Sequence, residues 1–207
     1  MTKKIKQKLI RHLNLLKSMG YEYHKPIDLK LLKDNKLAIL PDNLSELKTI
    51  VDSCNACQLG KYNKNRFFSY GNIDSKIMFI GDYATLDTFN PFNGLSGKML
   101  KDMCTNVLKI NTDDIYYTNI IKCSIPSTIN LHNDSINYCK DFLIKQISII
   151  NPMVIVAFDT DTFKYIKTLD IFLNKNIFVI YSPIFLLRNP SYKKKTLEDL
   201  NKIKSIL

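Results

Sequence analysis

Long apolar runs are missing from this 207-residue chain. No stretch approaches the roughly 20 residues that a membrane-spanning helix requires, so no membrane partner is expected. The basic amphipathic start, MTKKIKQKLIRHLNLLKSMG, lacks the uninterrupted apolar core and small-residue cleavage site of a secretory signal. It is Lys-rich rather than rich in Ser and Arg, which argues against a mitochondrial presequence, and a cytoplasmic protein is expected. With no such signal, the five cysteines argue against a secreted disulfide framework. Histidine is scarce: His12, His24 and His132 are the only three, each placed where a surface polar role is the ordinary one. The chain carries no internal repeat and no low-complexity tract.

What is present suits a globular domain. The hydrophobic fraction is 45% and the aromatic fraction 11%, enough for one sizeable core with a small appendage. The formal net charge of +11 points towards a polyanionic partner. Basic residues crowd both ends of the chain, where they would flank a groove for a phosphate backbone and make binding fall with salt. A solvated Lys-rich surface is the alternative.

Apolar Ile5, Leu9, Leu13 and Leu16 fall at helical spacing, with Gly20 as a stop. A second short helix is expected from a cap at Asp42 or Ser45 to about Val51, and residues 54–75 read as irregular. Strand and helix patterns then alternate: strands at 76–81, 115–120, 152–158 and 177–182, and helices at 96–110, 134–150, 160–169 and 194–207. This grammar predicts a three-layer α/β/α sandwich around a mainly parallel four-stranded sheet, with residues 1–46 as a helical extension and 47–207 as the main domain. Sites in such sheets form at the carboxyl ends of strands, which places Gly81, Asp82, Asn119 and Ser182 along one rim.

Cys104 shares a helical apolar stripe with Leu100, Met103, Val107 and Leu108 and reads as core filler. The other four cysteines differ. Cys54 and Cys57 form a close pair in a loop, Cys123 follows a strand, and Cys139 lies near a helix start. Four thiolates suit either Zn²⁺ or an iron–sulfur cluster, and ligand softness alone does not choose between them.

From about Leu47 onward, Cys54-x-x-Cys57-x-Leu59 with Arg66, then Pro91-Phe92-Asn93-Gly94, Thr118-Asn119-Ile120-Ile121-Lys122-Cys123, and Cys139 before Phe142-Leu143 stand in an order that resembles the iron–sulfur (family four) uracil-DNA glycosylases. The family's C-x-x-C-x-L and following Arg are matched by Cys54, Cys57, Leu59 and Arg66. Its apolar strand and G-E-A-P-G loop correspond to IMFIG and Asp82-Tyr83-Ala84-Thr85. Its P-F-x-G corresponds to Pro91-Phe92-Asn93-Gly94, followed by Gly97 and Leu100. Thr118-Asn119-Ile120-Ile121-Lys122-Cys123 and Pro126 match the next element, and Cys139 before Phe142-Leu143 the one after. Ser182-Pro183-Ile184-Phe185-Leu186-Leu187-Arg188 stands where the family has H-P-x-x-L-L-R.

The resemblance implies a uracil-DNA glycosylase-like fold and a [4Fe–4S] cluster on Cys54, Cys57, Cys123 and Cys139. It also implies a DNA-repair activity that flips uracil from DNA, single- or double-stranded, and hydrolyses its glycosidic bond. Carried over, Phe92 is the stacking platform and Asn119 the reader of the uracil amide edge, with Gly81 and Tyr83 lining the pocket. Asp82 stands for the loop Glu that positions water, and Ser182 for the His that donates to a uracil carbonyl. Leu186 is expected as an apolar wedge beside Arg188 on a phosphate, with Lys193 and Lys194 as further DNA contacts. A packing role for both Leu186 and Leu187 is the alternative. The departures sit at the chemistry while the cysteines are intact. A DNA-binding protein that has lost catalysis is therefore the second expectation, and a zinc-stabilised partner-binding module the third. A monomer is expected throughout.

Overall fold

A computed structural model describes residues 10, 13, 14, 17, 40–84, 90–125, 133–169 and 175–207. The first expected helix lies largely outside them, although Ile10, Leu13, Asn14 and Lys17 are helical. The helix α1 (Leu44–Asp52) is capped by Asn43, whose Oδ1 accepts from the Ser45 and Glu46 N–H groups. Asn43 thus does the work expected of Asp42 or Ser45. Leu40, Leu47 and Val51 bury against Phe68 and Phe142, so α1 belongs to the packed body and crosses the expected boundary at 46/47. A single-turn α2 (Gln58–Tyr62) follows Cys57.

The sheet has five strands: β1 (Tyr70–Gly71), β2 (Ile77–Gly81), β3 (Tyr116–Asn119), β4 (Val154–Phe158) and β5 (Asn176–Ile180), in the order β1-β3-β2-β4-β5. The last four are parallel neighbours as the sequence implied, and the two-residue β1 adds an antiparallel edge beside β3. β1 escapes pattern reading because it is too short to show alternation. Gly71, at φ 102°, closes it where a Cβ would collide with the Ile115 carbonyl.

β2 and β4 are buried along their whole length, as expected of central strands covered on both faces. Side chains alternate between two cores. Met78, Ile80, Ile155 and Ala157 join one, with Leu143 and Ile147 of α4 (Asn133–Ile150). Ile77, Phe79, Val154, Val156 and Phe158 join the other, with Leu100 of α3 (Gly94–Asp102). Helix α3 widens into π-type hydrogen bonding over Met103–Leu108 and ends at left-handed Lys109. α5 (Thr160–Lys167) links β4 to β5.

After β5 the chain forms α6 (Pro183–Arg188), a short helix not anticipated from its pattern, and then α7 (Lys193–Lys204). Ser182 caps α6 and Pro183 occupies its first turn, the position that tolerates a missing N–H. Among the described residues no helix is long and apolar enough to cross a membrane.

Candidate active site and thiol cluster

Cys54, Cys57, Cys123 and Cys139 are all buried and unpaired by disulfides. They arrive from the end of α1, the start of α2, the exit of β3 and the first turns of α4. The thiols converge closely enough to couple electrostatically. A hydrogen bond from Cys123 and others from Ser135 and backbone N–H groups draw the Cys57 pKa down to about 5, against the opposing effect of burial. The Cys123 thiol is pushed up as the other half of that bond, with burial and the Cys139 and Cys57 charges adding to it. Burial raises Cys54 too, and lifts Cys139 to about 12.

Arg66 braces this region. It donates through Nη2 to the Cys54 and Gly60 carbonyls, each at 2.8 Å, and its backbone bridges to Cys123. Its Nε is buried without a hydrogen-bond partner, a cationic donor left over where thiolate charge would gather. Four soft donors, one already inclined to ionise, with a guanidinium beside them fit an iron–sulfur cluster chemically. Among the described residues no group of three or more His, Cys, Asp or Glu is arranged to hold a single metal ion. Cys104 lies apart in the apolar core, where burial alone raises its pKa to about 12.

The rim gathers the expected pocket residues through strand register. Gly81 pairs with Asn119, so β2 and β3 end together. The ladder continues past both ends: Ile120 N–H donates to Gly81 O, Ile121 N–H to Asp82 O and Ile125 N–H to Ala84 O, at 2.9, 2.9 and 3.0 Å. The Asp82-Tyr83-Ala84 loop is thereby laid along the exit of β3. Asn119 is only 1% exposed. With its carboxamide turned to satisfy both ends, Oδ1 accepts from Ala84 N–H at 3.1 Å and Nδ2 donates to Thr118 O at 3.2 Å. One N–H and one lone pair remain for a ligand.

Asp82 meets solvent at the rim, but the surrounding protein desolvates it and raises its carboxyl pKa. Donation from the Tyr83 and Asp82 N–H groups opposes that rise, and the Asp159 charge adds to it. Phe92 is half-buried, with its edge towards Tyr70 at 5.4 Å between ring centroids. Gly97 makes room for the Phe92 backbone, because a Cβ there would overlap it. Tyr83 packs partly against the Met78–Ile80 core. Thr85 and Pro126 lie outside the described residues.

Ser182 joins the same rim, but its hydroxyl oxygen is occupied as a helix cap, accepting from Phe185 N–H at 3.4 Å. Its backbone N–H donates to Asp159 Oδ1 at 3.2 Å. Asp159 is a residue that sequence reading passed over. It follows β4 directly, at φ 71° and ψ 158°, a backbone region that favours glycine. The signal was available: an acidic residue directly after an apolar strand, at the end where sites form.

Tyr117 was also missed, two residues before Asn119 and hence on the same strand face. Lys122 was read only as part of a motif. Its fully buried ammonium donates to Thr118 Oγ1 at 2.7 Å, to the Asn119 carbonyl at 2.6 Å and to Gln146 Oε1. Gln146 Nε2 in turn donates to Phe68 O and the Tyr116 hydroxyl, each at 3.0 Å. This network fastens the strand end carrying Asn119 to the helix carrying Cys139. Burial pulls the Lys122 pKa down to about 7, against the Cys139 charge.

On the outer surface one expectation fails. Leu186 is 1% exposed and packs in the core with Leu200 and Ile203, so it is no surface wedge; the helical turn of α6 points it inward. The same turn leaves Leu187 and Ile184 outside, at 38% and 45% exposure. Arg188, Lys193 and Lys194 are exposed. Tyr181, Phe185 and Tyr192 pack ring to ring beside them, with Lys195 Nζ 5.7 Å from the Tyr181 ring centre.

Comparison with known proteins agrees with this arrangement. Residues 68–202 match the family model described as the Uracil DNA glycosylase superfamily. A type-4 uracil-DNA glycosylase from Saccharolobus solfataricus is 30% identical over 188 residues, covering 80% of this chain and 87% of that protein. Another from Thermotoga maritima is 30% identical over 175 residues, covering 76% and 91% respectively. One from Sulfurisphaera tokodaii is 29% identical over 187 residues, covering 80% and 85%. The family-model match over residues 68–202 and this coverage lead to one conclusion: the chain belongs to the uracil DNA glycosylase superfamily.

Proposed function

We propose that the protein is a DNA-repair glycosylase that releases uracil from DNA, with Cys54, Cys57, Cys123 and Cys139 holding a [4Fe–4S] cluster. The observation that supports this reading is the register of Gly81 with Asn119, by which β2 and β3 end together and Asn119 and the residue after Gly81, Asp82, come to one rim. Phe92 offers a ring face to a flipped base, and Asn119 reads its amide edge with the N–H and lone pair left to it. As the C1′–N1 bond breaks, its electron pair leaves with the uracil, and donors at the pocket stabilise that anion. Asp82 orients a water and takes its proton as the water oxygen bonds to C1′, and until then its negative charge offsets the cationic sugar. The cluster's contribution is a structural cross-link between α1, β3 and α4. Arg188, Lys193 and Lys194 neutralise phosphates, giving salt-dependent binding. A monomer in a reducing, cytoplasmic setting suits the five free thiols.

Incubating cluster-loaded protein with uracil-containing single- and double-stranded DNA, then cleaving abasic sites, tests the reading. Release well above that of Asn119→Ala supports it; release equal to the variant rejects it. The capping role of Ser182 favours a second reading, in which the protein binds DNA without releasing a base. Salt-dependent affinity with no abasic product, gained on making Ser182→His and Asp82→Glu together, would identify that case.

A further inference from the structure

We propose that Tyr117 is a base-contacting residue of this pocket, its hydroxyl donating a hydrogen bond to a carbonyl of the flipped pyrimidine. The inference rests on the glycosylase reading of the rim and adds to it a donor that the sequence resemblance does not supply.

Three observations converge on the Tyr117 hydroxyl. The first is placement. Tyr117 and Asn119 are two residues apart on β3, so their side chains leave the sheet on one face, the face that Phe92 also packs against. The second is reach. Gly81, opposite Asn119 in the ladder, has no side chain, and the position its Cβ would take lies against both the Asn119 carboxamide and Tyr117 Oη, the latter 2.9 Å away. The phenol therefore leans along the sheet to the rim and ends beside the base reader. The third is access. β3 is an interior strand between β1 and β2, and Tyr117 is its one half-buried residue, the other three being buried.

The ring is held for this task. Phe67 meets it edge-on at 5.8 Å and Phe158 at 6.0 Å between centroids, which limits its rotation. Its proton is also retained: burial and the nearby Asp82 charge both push the phenol pKa upward. The group is a neutral donor wherever Asp82 is ionised, able to meet negative charge that develops on the leaving base.

Tyr117→Phe isolates the hydroxyl, because the ring and both aromatic contacts stay. With uracil-containing DNA, kcat is expected to fall by about 10²-fold, as on removal of a single oxyanion donor, with KM changed less than about threefold. A parallel arm uses DNA with 2′-fluoro-2′-deoxyuridine, which resists glycosidic cleavage, against the same strand with a tetrahydrofuran abasic analogue. Wild type is expected to prefer the fluorinated uridine, and Tyr117→Phe to narrow that preference by about two- to tenfold, the worth of one hydrogen bond. If wild type releases uracil and the variant keeps both rate and preference, the inference is overturned and the glycosylase reading stands. If wild type releases none, the glycosylase reading falls while the binding arm still decides: a preference lost in the variant supports the contact. A preference unchanged, or absent from wild type, overturns it.

Discussion

Gly81 and Asn119 face each other across the β2–β3 ladder, and the missing side chain of one is the space occupied by the carboxamide of the other. A methyl at Gly81 would overlap Asn119 and stand 2.9 Å from Tyr117 Oη. Neither neighbour retreats easily, since Asn119 is short and bonded to Ala84 and Thr118. Gly81→Ala is expected to fold with a loss of about 1–3 kcal/mol, the usual cost of overpacking a tight site. Uracil release should fall far more than stability does, because a 1 Å shift of a reading group costs about 10²-fold. Parallel thermal unfolding and single-turnover release measure the two effects; equal activity in the variant would contradict the placement of Asn119.

Asp82 carries a pH signature. Its carboxyl pKa is raised by burial and by Asp159, so the group protonates above the ordinary carboxylate range. Water activation needs the ionised form, and release should therefore fall on acidification earlier than an exposed aspartate would dictate. Asp159→Asn removes the neighbouring charge and should move this limb to lower pH, whereas Asp82→Asn should abolish it with most of the activity. The sign for stability is opposite. A raised folded pKa stabilises below the unfolded value, and that contribution is lost as pH rises through the folded value. Asp82→Asn should thus be the more stable protein above that point. Rate–pH profiles and melts of the three proteins test both signs.

Asp159 holds a backbone conformation suited to glycine, at φ 71° and ψ 158°. Such strain costs on the order of 1–3 kcal/mol, while its carboxylate returns one hydrogen bond to Ser182 N–H. Asp159→Gly removes both, and a net rise in melting temperature is expected. Asp159→Ala keeps the strain and loses the bond, so its melting temperature should drop. Calorimetry on the pair separates backbone strain from side-chain anchoring.

Much of this was legible in the sequence because the relevant signals are local. KIMFIG and PMVIVAF announce buried parallel strands by composition, and the spacing from Cys54 to Cys139 announces a thiol set. What escaped depends on neighbours distant in sequence. Tyr117 reads as one more strand aromatic until the fold brings its hydroxyl to the empty side-chain position of Gly81. Leu186 is expected as a surface wedge from the sequence, but a helical turn capped by Ser182 and started by Pro183 sends it into the core. Lys122 stands in the sequence only as part of a motif, and Gln146 and Thr118 explain how its ammonium stays buried.

The thiol set yields the last expectation. Cys123 hydrogen-bonds to Cys57 and shares a bridge with Arg66, and it leaves β3 only four residues after Asn119. Cys123→Ser replaces a soft donor with a hard one and should lose iron and sulfide, bleaching broad visible absorbance. Because a cluster on these cysteines would join α1 and α4 to the strand exit, melting should fall sharply and uracil release with it. Cys104→Ser is the counterpart: it places a hydroxyl in an apolar core and should cost about 1–3 kcal/mol with iron content unchanged. Iron and acid-labile sulfide analysis of both variants, purified without oxygen, distinguishes ligand from core thiol. A Cys123→Ser protein of native stability and full iron content would remove Cys123 from the ligand set.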